Sequence, residues 1–525
     1  IDGGTLNMAS GALGAVLNLF GDFTISSGNF VKTSTGTSSI NFVKSTGVQN
    51  ISQSGGSITN AGGGTTTWNI GTSTTNTVTL LSNISIPATT VIVTNGATLN
   101  FGNFTFSGTH AFTVNNGGTV VFGASGLLNN TGAFTITNGA TLITANTNGI
   151  AATGGASGSV QSSGTRAFNS GVNYTYNAAA DGITGTGLIG ASTLRIATSA
   201  GARITLSKPV LTFVTVSTTV DLTSGILILG SNVDLQLNNA ATFSGSPWST
   251  ANMIVTPGTG RVAGSGRIIK VFPNGPQSNL TFTYPLGDII GTVEYSPVNI
   301  TDLDYTTATS PYIDFRVKDA QHPSDPTLTN YISRYWECMS NFSTTGAPVF
   351  ASGVNLTANF NYVPADIVGT EALIKMNRIS AAGLDIATWY EDAASSAGSN
   401  TLNSITLAAT NFNDHDITGR VTVPIYFRSA STGVFEVASN WIVSTDVNFL
   451  APTGVTSNAF PTFSNSDGIR IMNTHNLTVA AGSAIDQTTI DAGGTLTYGA
   501  STQNAIYDGA GTDLLVDGTV VNAST

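Results

Sequence analysis

The sequence predicts an all-β chain in which parallel β-solenoid segments flank an antiparallel β-sandwich module. Three observations lead to this prediction. A short phrase recurs every 21 or 22 residues, Gly, Ser, Thr and Asn are abundant beside 40% hydrophobic residues, and charged residues concentrate in the middle of the chain. Hydrophobic content this high argues against disorder, and short apolar runs between turn residues are typical of many short strands.

The clearest repeat lies between residues 91 and 144. Val-Thr-Asn-Gly-Ala-Thr-Leu at 93–99 recurs as Val-Asn-Asn-Gly-Gly-Thr-Val at 114–120 and as Ile-Thr-Asn-Gly-Ala-Thr-Leu at 136–142. A fixed period with turn residues at one offset and apolar residues at others is typical of a solenoid. We therefore expect like residues to stack from coil to coil. The three expected rows are Val91, Phe112 and Phe134; Val93, Val114 and Ile136; and Leu99, Val120 and Leu142.

The first solenoid is predicted over residues 1–265. Apolar runs at Thr212–Val216 and Ile226–Leu229 predict strands, and Val233–Leu237 alternates with period two, the pattern of a half-buried strand. The chain opens on Asp-Gly-Gly-Thr-Leu at 2–6, which already resembles the repeated phrase. Because solenoids need atypical terminal coils, we expect these 525 residues to be an internal piece of a longer protein.

The second region, residues 266–425, has ordinary globular chemistry. Residues 1–200 carry 7 of the 45 charged side chains, whereas residues 261–436 carry 26. Alternating strand candidates separated by loops predict an antiparallel, immunoglobulin-like β-sandwich. These candidates are Leu280–Tyr284, Tyr312–Val317, Asn355–Tyr362 and Ala372–Met376.

The third region, residues 426–525, is predicted to be a linker followed by a second solenoid. Ile-Asp-Ala-Gly-Gly-Thr-Leu at 490–496 and Leu-Leu-Val-Asp-Gly-Thr-Val at 514–520 match the phrase of the first region, 24 residues apart.

Charge and composition exclude several classes of partner. A net charge of −11 and a pI near 4.6 argue against nucleic acid or an anionic membrane as the main partner. No run of 18 apolar residues occurs, so we expect no direct membrane insertion. The single cysteine, Cys338, excludes an intrachain disulfide and is expected to be a small buried apolar residue.

A series of short motifs occurs between residues 282 and 479. They are Phe-Thr-Tyr-Pro-Leu-Gly-Asp at 282–288, Tyr-Ser-Pro-Val at 295–298, Arg-Tyr-Trp at 334–336, Phe-Asn-Asp-His-Asp-Ile-Thr-Gly at 412–419, Tyr-Phe-Arg-Ser at 426–429 with Gly433 and Asn440-Trp441, and Asn-Thr-His-Asn-Leu-Thr-Val at 473–479. In their order these motifs resemble those of large repetitive surface adhesins that Bacteroidota secrete through the type IX pathway, although Thr474 replaces the usual glycine. The resemblance implies an extracellular, cell-surface location, attachment to surfaces or glycans, and in some members gliding motility. It also implies secretion and outer-membrane anchoring machinery as partners.

Enzymatic β-helices exist, so a carbohydrate-active or carbohydrate-binding protein of the lyase or tailspike kind is the alternative hypothesis. Glycoside cleavage needs two carboxylates held together, and lyase chemistry needs a base and usually a cation. From Phe23 to Ala180 there is no Asp or Glu. We therefore predict no enzyme activity, no catalytic residues, no metal site and no cofactor.

Two groups of acidic residues, one of them with a histidine, are candidates for ligand or catalytic groups. Asp302 and Asp304 with Asp319 and Asp325 have the ligand chemistry of a calcium site, but their spacing fits no EF-hand loop and favours solvated carboxylates. In Asp414-His415-Asp416, strand alternation directs the histidine away from both aspartates.

His110 is isolated from other candidates and is expected on a Thr/Gly turn surface. Trp389-Tyr390 and Trp248 have rings able to stack on sugars, although Trp336 and Trp389 fit the core of a sandwich better. The Thr-rich arrays at 65–67 and 72–75 raise the possibility of an ice-binding face, but the three clear coils do not show Thr-x-Thr on every coil.

Overall fold

The protein is described by a computed structural model, whose described residues are predominantly extended. They contain strands, turns and short 3-10 turns at Pro364–Asp366, Glu371–Leu373 and Ala438–Asn440, and no α-helix, which confirms the all-β class. No helix among them has the length and hydropathy of a membrane span. The described residues are 1–45, 47–72, 75–87, 89–153, 155, 157–199, 201–207, 212–259, 264–306, 311–325, 330–338, 354–380, 389–391, 396–404, 407–408, 415–421, 424–450, 454–457, 460–462, 466–480, 483–499 and 511–523.

The chain divides into two compact units. Unit 1 comprises Ile1–Gly275, Thr283–Tyr295 and Ala308–Arg316, and unit 2 comprises Pro276–Phe282, Ser296–Thr307 and Val317–Thr525. The strands up to residue 271 are β1 (Thr5–Asn7), β2 (Val16–Leu19), β3 (Phe23–Ile25), β4 (Asn29–Lys32), β5 (Ser38–Phe42), β6 (Val48–Gln53), β7 (Ser57–Asn60), β8 (Thr66–Ile70), β9 (Thr77–Leu80), β10 (Ile84–Ile86), β11 (Thr90–Val93), β12 (Thr98–Gly102), β13 (Thr105–Gly108), β14 (Ala111–Val114), β15 (Thr119–Phe122), β16 (Leu127–Asn130), β17 (Phe134–Ile136), β18 (Thr141–Thr144), β19 (Arg166–Phe168), β20 (Asn173–Tyr176), β21 (Gly182–Ile183), β22 (Gly190–Ala197), β23 (Arg203–Leu206), β24 (Thr212–Ser224), β25 (Ile226–Leu229), β26 (Val233–Leu237), β27 (Thr242–Ser244), β28 (Ile254–Val255) and β29 (Ile268–Val271).

Unit 1 is built from parallel strands that pair one coil apart. A coil such as β10–β12 contributes one strand to each of three sheets, and the next coil, β13–β15, pairs with it strand by strand in parallel. All three expected rows are present: Val91 lies opposite Phe112 and Phe112 opposite Phe134, and the other two rows follow the same register. All nine side chains are fully buried, so each coil covers the apolar face of its neighbour.

The Asn-Gly turns stack as the strands do. Gly96, Gly117 and Gly139 have φ values of +77°, +75° and +77°, the left-handed region that favours glycine. The Gly96 amide donates to the Gly117 carbonyl at 3.0 Å, and the Gly117 amide donates to the Gly139 carbonyl at 3.1 Å. A Cβ on Gly117 would lie 2.1 Å from Oδ1 of Asn95, so a larger residue would displace that side chain as well as strain the backbone.

Strand direction changes at the last strands of unit 1. The further strands up to residue 420 are β30 (Phe282–Tyr284), β31 (Leu286–Asp288), β32 (Glu294–Tyr295), β33 (Val298–Tyr305), β34 (Tyr312–Lys318), β35 (Tyr331–Cys338), β36 (Val354–Asn361), β37 (Ile367–Val368), β38 (Lys375–Ser380), β39 (Trp389–Glu391), β40 (Ser396–Gly398), β41 (Thr401–Asn403), β42 (Leu407–Ala408) and β43 (His415–Arg420). β29 pairs in parallel with β26 on one side and antiparallel with β34 on the other. In another sheet, β31 likewise pairs in parallel with β28 and antiparallel with β32.

A buried ion triad lies at this change of direction. Arg267, which precedes β29, bonds Oδ2 of Asp234 on β26 at 3.1 Å and also Oδ2 of Asp314 on β34. The side chains of all three are at most 4% exposed. Backbone amides of Gly264 and Gly266 donate to the Asp234 carboxylate as well. The half-buried strand predicted at Val233–Leu237 is therefore present as β26, but Asp234, on its expected solvent face, is buried against residues 264–267, which precede β29.

Unit 2 contains two antiparallel sheets. β33, β36 and β41 form one with β40 and β42, and β35, β37, β38, β39 and β43 form the other. The buried ring of Trp336 lies 5.3 Å from that of Phe360 between the two sheets. Three of the four strand candidates match within two residues. The fourth, Ala372–Met376, begins instead as the 3-10 turn Glu371–Leu373 and becomes extended only at Lys375.

Parallel pairing resumes near residue 426. The strands there are β44 (Tyr426–Ser429), β45 (Gly433–Val434), β46 (Trp441–Ser444), β47 (Val455–Thr456), β48 (Gly468–Ile471), β49 (Asn476–Val479), β50 (Thr488–Ile490), β51 (Thr495–Tyr498), β52 (Leu514–Val516) and β53 (Thr519–Asn522). The expected 24-residue match holds at Leu496 and Val520. It fails before the turn, where Ile490 pairs with Val516, because the second turn is two residues shorter.

The coil register makes a prediction about single substitutions. Val120→Asp places an unpaired carboxylate between Leu99 and Leu142, so we expect a loss of about 3 kcal/mol or more in unfolding free energy. Thr119→Asp, on the half-exposed face of the same strand, is expected to cost under about 1 kcal/mol. Thermal melts of both variants beside the parent chain measure the difference. Equal losses at the two positions would contradict the register.

The ion triad makes a second prediction. Arg267→Met leaves Asp234 and Asp314 buried without their counter-charge, and we expect a loss of about 3–5 kcal/mol. The matched control is Arg195→Met, because Arg195 pairs with Asp221 at 3.2 Å on the surface with 46% of its side chain exposed. Such pairs contribute about 1 kcal/mol at most. Denaturant unfolding of the two variants compares them, and a cost at Arg267 no larger than that at Arg195 would refute the structural role of the triad.

Candidate functional site

One regular outward surface of unit 1 is a row of polar side chains, which we call the hydroxyl row. Its members occupy one register position on successive strands of a single sheet. Adjacent strands in a sheet lie about 4.8 Å apart, so the row presents one hydroxyl or amide per coil at that interval. Its members are Thr77, Thr98, Thr119, Thr141, Asn173, Thr193, Thr219 and Thr242.

Part of this surface carries no formal charge. No acidic residue occurs from Phe23 to Ala180, and no Lys or Arg occurs between Lys44 and Arg166. The coils that contribute the first four members of the hydroxyl row are therefore free of Asp, Glu, Lys and Arg. A partner docking on this part would contact hydrogen-bonding and apolar groups rather than ion pairs.

Polar side chains on neighbouring coils also bond to one another. The Asn69 amide donates to Oδ1 of Asn41 at 2.8 Å, and the Asn41 amide donates to Oδ1 of Asn18 at 2.7 Å. On other faces the Ser52 hydroxyl lies 3.0 Å from Oγ1 of Thr24, and the Thr65 hydroxyl lies 3.2 Å from Oγ1 of Thr37. Such ladders hold the outward groups in fixed orientations.

His110 is not on a turn surface, and the expectation from sequence is wrong here. Its side chain is fully buried, with its ring 5.1 Å from Phe106 and 6.2 Å from Phe112. Neither ring nitrogen has a hydrogen-bond partner among the described residues. Burial disfavours the charged imidazolium and lowers the pKa of His110 from 6.5 to about 4. The side chain therefore serves as a neutral aromatic member of the core at neutral pH.

This burial predicts a pH dependence of stability. Because the folded-state pKa of about 4 lies below the unfolded value of 6.5, protons bind the unfolded chain more tightly. The stability is complete above pH 6.5 and falls as the pH drops from 6.5 towards 4, by about 3 kcal/mol in total. We expect His110→Phe to remove this component. Melting temperatures of both proteins across that range provide the test, and parallel pH profiles would contradict the assignment.

Three of the four carboxylates considered as calcium ligands have partners within unit 2. Asp319 lies 3.4 Å from Arg334, and Asp325 lies 3.4 Å from Arg420. Asp304 accepts the Asn279 amide at 2.7 Å. Asp325 is only 8% exposed, so the expectation that it is a solvated loop carboxylate is wrong. The arginines supply positive charge where a cation was considered.

The aspartate–histidine motif has a partner that the sequence did not indicate. Asp414 lies outside the described residues, His415 is half-buried, and Asp416 is buried with Oδ2 3.1 Å from Nε2 of His322. The Ser324 amide donates to Nδ1 of His322 at 3.1 Å, which places the imidazole proton of the neutral ring on Nε2, facing Asp416. The ring of His322 also packs edge-on against Tyr335 at 4.8 Å. This buried pair holds residues 322–325 on the sheet of β43.

The remaining candidates separate into core and surface. Trp336 and Cys338 are fully buried, as expected. Trp248 is half-buried, with its indole donating to the Ser244 carbonyl at 3.3 Å. Trp389 and Tyr390 lie on β39, and their side chains fall outside the described part. Thr66 is buried, so the Thr-rich array at 65–67 does not form a single outward face. In the second array, at 72–75, residues 73 and 74 lie outside the described residues.

Comparisons with protein-family models, curated proteins and solved structures returned no match to the chain.

Proposed function

We propose that this chain is a structural and adhesive segment of a long extracellular filament or stalk on a bacterial cell surface. In this proposal the parallel stacks of residues 1–265 and 426–525 are β-solenoids that flank an immunoglobulin-like sandwich at 266–425. The observation that carries it is the hydroxyl row, which offers the same uncharged contact on coil after coil. Repetition of a weak contact along a stack yields strong attachment without any single strong site.

The partner that suits such a surface is an uncharged, hydroxyl-rich one, such as a glycan layer. Hydrogen-bond donors and acceptors held in fixed positions lose little conformational entropy on binding. The order of motifs between residues 282 and 479 supports export to the cell surface of a Bacteroidota cell, with secretion and outer-membrane anchoring machinery as partners and gliding motility as a possible setting. No nucleic acid, cofactor or membrane insertion forms part of the proposal.

The alternative is a carbohydrate-binding or carbohydrate-active β-helix protein of the lyase or tailspike kind. Its catalytic form needs carboxylates that reach a sugar. Several acids of the described residues are instead buried against cationic side chains: Asp234 and Asp314 contact Arg267, and Asp366 contacts Arg334 at 2.7 Å. We therefore favour a structural role over catalysis.

The test is attachment of beads coated with the intact chain to immobilised neutral polysaccharide under flow. We expect attachment that changes little with ionic strength, because salt screens ion pairs but not neutral contacts. Replacing Thr98, Thr119 and Thr141 together by Asp adds three charges to the hydroxyl row and should reduce attachment at least about tenfold.

The matched control carries three aspartates on the same coils but on another sheet. Ser85, Ser107 and Asn129 occupy one register position there, and their replacement by Asp should leave attachment unchanged. Equal losses in both triple variants, or attachment abolished by salt in the parent chain, would refute the adhesive role of the hydroxyl row.

A further inference from the structure

A cleft of about 400 Å³ opens on the outward face of the sheet formed by β44, β48 and β50 in unit 2. Its volume lies within the range of small-molecule sites, about 300–1,000 Å³. One wall is the loop Asp446–Leu450, which connects β46 and β47 and contributes Val447, Asn448 and Phe449. The cleft thus combines a flat sheet face with an overhanging loop.

The loop wall is held in a defined conformation. The carboxylate of Asp446 accepts the Asn448 amide at 2.9 Å and the Leu450 amide at 2.7 Å. Phe449 lies between them with φ of 56°, a region that bulky residues rarely adopt. The Arg428 guanidinium lies 4.8 Å from the centre of the Phe449 ring. These contacts fix the wall before any ligand arrives.

The sheet face supplies an aromatic surface, a tyrosine ring that lies close to the sheet beside a glycine. Tyr426 on β44 is half-buried, and its register partner on β48 is Gly468. A Cβ on Gly468 would lie 3.1 Å from Cδ1 of Tyr426, so a side chain at that position would press against the ring. Aromatic rings with an accessible face are the usual contact for the apolar face of a sugar ring.

Polar groups without internal partners line the same cleft. Within the described residues, the side chains of Asn448, Thr489 and Thr512 make no hydrogen bond to the protein. Arg470 uses Nε for Asp491, at 2.9 and 3.1 Å from the two carboxylate oxygens. Its Nη groups donate to nothing in the described part of the chain, and 48% of its side chain is exposed. Amide, hydroxyl and guanidinium groups therefore remain available beside the Tyr426 ring.

The cleft is lined by one negatively and one positively charged side chain, and this balance favours a neutral ligand. The lining contains one carboxylate, Asp467, whose Oδ2 accepts the Ile425 amide at 2.7 Å, and one guanidinium, Arg470. Because Asp491 already neutralises Arg470 and Asp467 repels anions, a phosphate or an acidic sugar gains little here. A neutral sugar can use the ring and the unpaired polar groups together.

We propose that this cleft binds a neutral saccharide. The apolar face of one sugar ring lies on Tyr426 above Gly468, and its hydroxyls bond to Asn448, Arg470 and Thr489. The proposal deepens the adhesive function and rests on it for its biological meaning, since it names the ligand class. The site itself depends only on the geometry of unit 2.

The experiment is titration of the full chain with neutral disaccharides (maltose, cellobiose, lactose and chitobiose) by calorimetry, with galacturonic acid and inorganic phosphate as anionic probes. We expect one-to-one binding of at least one neutral disaccharide in the millimolar range. Tyr426→Ala removes the stacking ring, and Gly468→Val displaces the ring from its place on the sheet without removing any group. Each should weaken binding about tenfold or more, while Tyr331→Ala, a half-buried tyrosine elsewhere in unit 2, should not.

Several outcomes would overturn the assignment: no neutral disaccharide binds, only the anionic probes bind, or both cleft variants bind as the parent does. Melting curves accompany every variant, and Gly468→Val decides the question if Tyr426→Ala fails to fold. Running the bead assay in parallel separates the two proposals. Attachment without disaccharide binding refutes the cleft alone, and disaccharide binding without attachment refutes the adhesive function alone.

Discussion

Backbone hydrogen bonding between one coil and the next is the constraint on which unit 1 depends. Because each strand pairs in parallel with its equivalent one coil away, every coil must bring a similar residue to the same place. This requirement produces the buried apolar rows and the outward hydroxyl row together. It also explains where buried cations go in a region without acids: Nζ of Lys32 donates to the carbonyls of Ser34 and Gly64 at 2.7 and 3.0 Å. Arg166 likewise donates to four carbonyls.

In unit 1, parallel pairing gives way to antiparallel pairing beside a group of buried charged residues. β29 pairs in parallel with β26 and antiparallel with β34. Arg267 contacts both partner strands, through Asp234 on β26 and Asp314 on β34. Three residues farther, Nζ of Lys270 donates to three carbonyls of the preceding turn, and burial lowers the pKa of this lysine to about 8. The charged residues thus accompany the change in strand direction.

The sequence predicts those features that recur along it. The all-β class and the register of the nine buried residues between Val91 and Leu142 follow from one period, because each coil repeats the information. Features that depend on a single distant contact do not follow. Asp416 meets His322 across 94 positions, and Asp234 meets Arg267 across 33. Strand alternation describes the faces of one strand, and it cannot indicate which distant segment covers the outer face.

Register also depends on turn length, which a repeated phrase does not define. Ile490 pairs with Val516 and not with Leu514 because one turn is shorter, although the two phrases align residue by residue. His110 escaped prediction for a related reason: it follows Gly108 and Thr109 in a turn, and the rings that bury it, Phe106 and Phe112, belong to the strands on either side of that turn. The cleft could not be predicted either, since its free polar groups come from separate strands and a loop.

The ladders of outward side chains connect the fold to the proposed adhesion. In the row of Asn18, Asn41 and Asn69, the Asn41 amide donates to one neighbour while its oxygen accepts from the other, so the orientation of that amide is set by the stack. A partner that contacts this asparagine row meets a preformed pattern at intervals of about 4.8 Å and does not have to order each side chain on binding. The same register that buries the apolar rows therefore prepares the outer surface. Attachment strength would grow with the number of stacked coils, because each coil adds one more contact without a new folding cost at the interface.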